Sequence, residues 1–287
     1  MFVHGRDCSL AVKIAYRAID VPYSEETIRG AVALLYEEPS IEGDGVCRAI
    51  RKSGGAIGCV VTPLTIGTTP LLLCLSMGEV SSPVFVSGTR NLHQYRLDLI
   101  PPEGTEQFGL IQDRGGERRY YPDCRVKGFE LRIEREKALK LKLEISGEKP
   151  PVDYLIIDTF SRERGERFKG DNVTYTLNGI EYQHIYGVTL NVKKNNGTKT
   201  ELSIRRALRH DEDIPELIEE MTITARLLRD KYEDSHAGVF RITLNRLVLV
   251  SDETSVECDD TVIGPVRYFV TGKVGADVFT SGEELIA

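Results

Sequence analysis

Cys124 to Gly147, CRVKGFELRIEREKALKLKLEISG, decides the fold. Phe129, Leu131 and Ile133 alternate with Glu130, Arg132 and Glu134. After a charged break, Leu139, Leu141, Leu143 and Ile145 alternate with Lys140, Lys142 and Glu144. Side chains repeat every two residues on an extended chain, so the stretch predicts a β-hairpin with one apolar and one charged face. Such a hairpin needs a second layer over its apolar face to persist in water.

Downstream, Ile185 to Ala207 reads IYGVTLNVKKNNGTKTELSIRRA and repeats the pattern. Gly128, Phe129, Leu131 and Ile133 correspond to Gly187, Val188, Leu190 and Val192, a shift of 187 − 128 = 59, and Leu143 and Ile145 reach Leu202 and Ile204 at the same shift. Asn196-Gly197 occupies the second corner, a dipeptide suited to a left-handed two-residue turn. Any two amphipathic hairpins of equal length align this well, so the match alone does not establish a duplication.

The chain has 287 residues, 41% of them hydrophobic, enough for a sizeable core and for two domains. Its net charge of −7 argues against a general nucleic-acid binder, which neutralises phosphates with a basic surface. Six cysteines (Cys8, Cys47, Cys59, Cys74, Cys124, Cys258) include no CxxC pair, so they predict buried free thiols in a reducing compartment. The first residues, MFVHGRDCSLAVKIAYRA, are broken by Arg6, Asp7, Lys13 and Arg17 and lack the apolar core of a signal peptide. Apolar runs such as Leu71 to Leu75 are too short to span a bilayer, and the expectation is a cytoplasmic protein with no membrane contact.

Outward from the hairpin, the segment 1–40 is open to helix or strand; Ser24 is placed to cap a short helix with Ile28, Val32 and Leu35 on one face. Gly43-Asp44-Gly45 and Ser53-Gly54-Gly55 read as turns. Thr69-Pro70 opens a compact helix, LLLCLSM, that Gly78 closes. Val84 to Val86 and Gln94 to Ile100 predict strands, and Pro101 to Tyr121 a long loop or loosely paired excursion, functional or interfacial in kind. Pro150-Pro151 interrupts any ladder and places a boundary between domains 1–149 and 150–287. Tyr154 to Phe160 and Val173 to Leu177 predict strands, with a charged loop from Arg162 to Lys169 between them.

Residues 210–232 fit either period. Leu217, Ile218, Met221, Ala225 and Leu228 suit a helix, and Met221, Ile223, Ala225 and Leu227 suit a strand; the reading adopted is one helical turn after Asp213 and then a strand. Phe240, Ile242 and Leu244 alternate, Leu247 and Leu249 continue out of phase, and Val266, Tyr268 and Val270 form a last strand. The fold class is mainly β: two tandem β-sandwich or barrel domains with a few short helices.

Chemistry finds little to build on. Five histidines (His4, His93, His184, His210, His236) show neither HExxH spacing nor pairing with cysteine. His210-Asp211 is a poor base and orienter, because neighbours on a strand face opposite ways. Asp211-Glu212-Asp213 and Cys258-Asp259-Asp260 lack calcium-loop spacing and read as solvated turns. Cys59 and Cys258 read as packed core thiols. No GxSxG, P-loop or GxGxxG is present, and aromatic residues are 7% with no tryptophan, which disfavours a sugar platform. The expectation is no enzyme, no catalytic, cofactor-binding or metal-binding residues, and no cofactor.

Read together, LLLCLSMG at 71–78, the His93 to Leu99 strand, Tyr120-Tyr121-Pro122 leading into CRVKGFELRIE, YTLNGIEY at 175–182, IYGVTLNV and the closing VRYFVTG at 266–272 carry a family pattern. Over residues 41–280 the chain resembles the tail tube (major tail) proteins of tailed bacteriophages, of the type with a duplicated tube domain. That resemblance implies self-association into trimers of pseudo-six-fold symmetry or hexamers. It implies stacked rings, DNA passing through the lumen without specific binding, other tail proteins as partners, and a virion tail location. Exposed hairpin edges would then pair with a neighbouring subunit. Lys137, Lys140 and Lys142 make the first hairpin mixed in charge rather than acidic, so no lumen lining is assigned. The other expectation is a β-sandwich binding module for a protein or surface ligand, with a localised apolar patch in place of open hairpin edges.

Overall fold

The computed structural model describes residues 8–14, 17–36, 49–80, 84–85, 93–101, 107–153, 166–182, 185–194, 197–208, 215–227, 238–252 and 262–280. Its strands are, in order, β1 (Cys8–Ile14), β2 (Arg17–Asp20), β3 (Glu25–Glu26), β4 (Arg29–Tyr36) and β5 (Ala49–Pro63), followed by helix α1 (Thr69–Met77). Then come β6 (Gly78–Val80), β7 (Val84–Phe85), β8 (His93–Leu99), β9 (Phe108–Arg114), β10 (Glu117–Glu134), β11 (Lys140–Ser146) and β12 (Val152–Asp153). The rest is β13 (Val173–Leu177), β14 (Ile180–Tyr182), β15 (Ile185–Lys193), β16 (Lys199–Leu208), β17 (Leu217–Leu227), β18 (Gly238–Asp252), β19 (Val262–Val270) and β20 (Val274–Thr280). The chain is mainly β, as the alternation predicts, and α1 is the one α-helix among the described residues.

Two units interleave along the sequence: Met1–Val60, Gln107–Arg125 and Glu144–Arg162 form the first, and Val61–Glu106, Val126–Leu143 and Glu163–Ala287 the second. The division expected at 149/150 therefore does not separate them. Pro150-Pro151 lies inside the first unit because the chain beyond it returns to β10, where Val152 pairs with Tyr120 and Asp153 with Arg119.

In the first unit β1 pairs with β2 and β9, β9 with β10, and β4 with β5. The helix considered from Ser24 is instead β3 and β4: Arg29 to Tyr36 lies antiparallel to Ala49 to Ile57, a partner that local periodicity cannot reveal. The loop or loosely paired excursion expected over Pro101 to Tyr121 contains β9 and a hairpin whose turn is Gly115-Gly116, with φ of 66° and 97°. Phe108 to Gln112 is buried at every position, so no alternation marks it as a strand. Ser53-Gly54-Gly55 lies inside β5 rather than at a turn, and a Cβ on Gly55 would stand 2.0 Å from the Gly147 carbonyl oxygen. Asp123 is buried and accepts the backbone N–H groups of Glu148 and Lys149, at 3.1 and 2.9 Å, which anchors the chain as it leaves β11.

The second unit is built on rows of side chains crossing many strands. One row is Tyr175, Ile223, Ile242, Ala276 and Leu97, on β13, β17, β18, β20 and β8, all buried. Another is Tyr268, Leu202, Leu190 and Leu131, on β19, β16, β15 and β10, also buried. Strand β18 belongs to both: its first half pairs with β20 and its second with β19. Arg246, in the left-handed region with φ of 53°, makes the change, so that Phe240, Ile242 and Leu244 are buried before it and Leu247 after it. β20, which follows the strand read as the last, fills the edge between β18 and β8.

Helix α1 is buried along its whole length, as expected of an apolar segment with no polar stripe. Thr68 rather than Thr69 is its N-cap, Pro70 sits in its first turn, and Gly78, with φ of 111°, ends it by donating its N–H to the Cys74 carbonyl.

Candidate functional site

The residues considered for chemistry are not gathered. His93 lies on β8, where it pairs with Thr280 and Phe85. Asp211 to Asp213, Cys258 to Asp260, His4, His184, His210 and His236 fall outside the described residues, as do the expected strand at 154–160 and the Gly43-Asp44-Gly45 turn. Among the described residues no three His, Cys, Asp or Glu side chains meet. Cys124 is buried and burial pushes its thiol up to about 12, so it stays protonated at neutral pH. Cys59, expected in the core, is half-buried because it lies at the margin where Thr27 bonds it through Oγ1 and the backbone.

The ribbon edges come next. Strand β15 is flanked by β16 and β10, and β16 by β15 and β19, so both edges of the second ribbon are filled by the same chain. Gly128 to Glu134 of β10 pairs with Gly187 to Lys193 of β15 with Leu131 opposite Leu190. Those two leucines are equivalent under the shift between the copies. Gly128 faces Lys193, the counterpart of Glu134, and Glu134 faces Gly187, the counterpart of Gly128. The first strands of the two ribbons thus meet about a local two-fold axis, an isologous contact rather than a head-to-tail one.

Three further features remain. The first is a cavity of about 500 Å³ on the solvent side of β13, β17 and β18, lined by Thr174, Thr176, Thr222, Thr224, Thr243 and Arg241 with carboxylates at its margin. Its threonines are β-branched residues on the outer face of a sheet, which their strand preference explains. A smaller cavity of about 90 Å³ in the first unit is lined by Arg29, Arg114 and Arg119. There Arg114 is held by Glu26 at 3.0 Å and Arg119 by Glu117, so most of the positive charge is answered within the chain.

The second feature is apolar. Leu217 on β17 lies opposite Val248 on β18, and Val248 opposite Phe269 on β19. These residues are 44%, 39% and 43% exposed, and Val250, two residues along β18, is 49% exposed. A cavity of about 520 Å³ opens beside them, lined by Glu216, Leu217, Val248, Leu249, Val250 and Ser251. Ile218 and Leu247, the next pair along the same strands, are fully buried. The row therefore faces outward at the place where β18 changes its neighbour from β20 to β19. Glu201, opposite Phe269, and Glu216 and Glu219, beside Leu217, edge it with exposed carboxylates.

The third is Lys194, which follows β15. It is fully buried, donates from Nζ to the Met77 carbonyl at the end of α1 at 3.3 Å, and burial lowers its pKa to about 8. Nothing in KKNNGTK distinguishes this lysine from its solvated neighbours. Arg206, also buried, lies over the Tyr182 ring and bonds its hydroxyl.

Among the described residues no helix is long and apolar enough to cross a membrane. No family model matches the chain, and no curated protein matches it.

Proposed function

We propose that this is a non-catalytic binding module that docks a protein partner on the outer face of β17, β18 and β19. The observation that carries the reading is the cross-strand row Leu217, Val248 and Phe269 with Val250 beside it, four apolar side chains left in water together. Apolar residues scattered singly on a surface need no explanation, but a contiguous group edged by charge is the form of an interaction site. The filled edges of the second ribbon favour a face rather than an edge as the contact surface.

Titration of the folded protein with the apolar dye bis-ANS tests this. A saturable site is expected, lost in Phe269→Ser at unchanged urea midpoint; dye binding equal in the two proteins would overturn the docking surface.

The subunit of a phage tail tube is the second reading, and one observation favours it: the first strands of the two ribbons, β10 and β15, lie side by side in one sheet. A ring needs head-to-tail contacts, and a local two-fold between the ribbons leaves those contacts to other surfaces. Electron micrographs of concentrated protein without rings or tubes would remove this reading.

A further inference from the structure

We infer that the cavity on the solvent side of β13, β17 and β18 is a second binding site, one that holds a short peptide by both of its charged termini. None of its lining residues belongs to the Leu217, Val248 and Phe269 row. The strands carry their outward side chains in rows. Thr174, Thr224 and Arg241 form one row across β13, β17 and β18, and Thr176, Thr222 and Thr243 form the next, with Glu181 of β14 opposite Thr176. Along β17, Arg226 lies beyond the first row and Glu220 beyond the second. The two arginines therefore stand at one end of the cavity and the two glutamates at the other, with threonine hydroxyls between them.

Strand preference accounts for threonine at these positions but not for this division of charge. Arg226, Arg241, Glu181 and Glu220 make no ion pair among the described residues. Asp277, the other described charged residue of the lining, is held from β8 by Gln94 at 3.0 Å and Arg96 at 3.6 Å. Thr224 is 6% exposed, yet its hydroxyl makes no hydrogen bond among the described residues. A nearly buried hydroxyl left unpaired is costly, and a ligand that bonds it removes that cost.

The order of the groups selects the ligand. A cavity of about 500 Å³ suits a small molecule. Arg241 lies opposite Thr224, four residues along β17 from Glu220, which is about 13 Å. An extended peptide of three or four residues spans about 10–14 Å. Its carboxylate meets two guanidinium groups and its ammonium two carboxylates, while its amide groups bond the threonine hydroxyls, which both donate and accept. A lone amino acid is too short to reach both ends, phosphate is repelled by Glu181 and Glu220, and a neutral sugar leaves all four charges unanswered. The described lining holds no aromatic residue, so small side chains such as alanine fit it best.

Equilibrium dialysis of radiolabelled trialanine against the full chain tests the inference. Trialanine is expected to be retained at one site per chain with a Kd of about 0.1–1 mM. N-acetyl-trialanine and trialanine amide, each lacking one terminal charge, are expected to bind at least tenfold more weakly. Arg241→Gln and Glu220→Gln each remove part of one end of the clamp and should weaken trialanine at least tenfold. Thr224→Val deletes the unpaired hydroxyl while keeping the shape of the side chain, and should weaken it at least threefold. The blocked peptides are read on the unaltered protein, which keeps the test open if a variant fails to fold. Absence of retained trialanine, equal binding of the blocked peptides, or trialanine binding untouched by all three variants overturns the site. Displacement of trialanine by equimolar alanine, phosphate or maltose overturns the peptide as its ligand. The bis-ANS titration judges the docking surface separately from all of these outcomes.

Discussion

Lys194 holds an ammonium group where, among the described residues, it bonds one carbonyl. The carbonyl belongs to Met77 at the negative end of the α1 dipole, and Met77 also accepts the N–H of Ile100 at 3.0 Å. A single neutral acceptor replaces little of the hydration an ammonium loses, which is why burial lowers its pKa from 10.5 to about 8. Between pH 8 and 10.5 the unfolded chain binds the proton and the folded chain releases it, so stability rises with pH across that window. Below pH 8 both states hold the proton, and the cost of the buried charge is present in full. Lys194→Met is therefore expected to stabilise the protein at pH 7 by about 1–3 kcal/mol, since Ile100 still satisfies Met77. Urea unfolding at pH 7 and pH 10 checks it: the wild type should gain stability between these values relative to the variant, and a loss of stability in the variant at pH 7 would refute the account. The sequence hides this residue because it sits in a polar corner, KKNNGTK, whose composition signals a solvated turn. The buried Asp123 is hidden for the same reason, since its partners, the N–H groups of Glu148 and Lys149, lie far along the chain.

Strand β18 shows what periodicity delivers at the scale of an element. The change of phase between Leu244 and Leu247 is visible in the sequence, and the structure gives its cause: Arg246 takes a left-handed backbone and carries one strand from the neighbour β20 to the neighbour β19. The alternating strands β10, β11 and β15 and the helix α1 are equally legible, because each has a clean period or is closed by glycine and proline. Strand β9 is not, since Phe108 to Gln112 is buried on both faces and shows no alternation. β4 stays undecided between helix and strand in the sequence because Ile28, Val32 and Leu35 also fit a helix, and only the pairing with β5 decides it. The account of β18 makes a prediction. Glycine takes the left-handed region without the clash a side chain meets, whereas a β-branched residue meets it fully. Arg246→Gly is expected to leave stability unchanged or raise it by up to about 1 kcal/mol, and Arg246→Val to lower it by about 1–2 kcal/mol. Equal urea midpoints for Gly and Val at this position would show that the turn of β18 does not depend on the left-handed residue.

For the whole molecule, the decisive pairing is one that neither ribbon announces: β10 with β15, centred on Leu131 and Leu190. The matching patterns of the two ribbons are readable in the sequence, but the symmetry relating them is not. The same two hairpins serve a head-to-tail ring or an isologous pair, and only the partner of each edge distinguishes them. The proline pair at 150–151 is a sound local sign of interruption. It does not divide the units, because Val126 to Leu143 belongs with Glu163 to Ala287. A fragment beginning at Pro150 would thus lack the strand that covers one edge of β15, and Val188, Leu190 and Val192 would lose their neighbours Ile133, Leu131 and Phe129. Burial of each large aliphatic side chain contributes about 1.5–3 kcal/mol, so losing half of three cross-strand pairs removes stability comparable to the whole net stability of a domain. The fragment 150–287 is expected to lack near-ultraviolet circular dichroism and to aggregate through the bared edge of β15, whereas the fragment 61–287, which retains β10 and β11, should give a dispersed amide spectrum. A monomeric fragment 150–287 with native-like dispersion would mean that the two copies fold independently, and that β10 joins β15 only after each is complete.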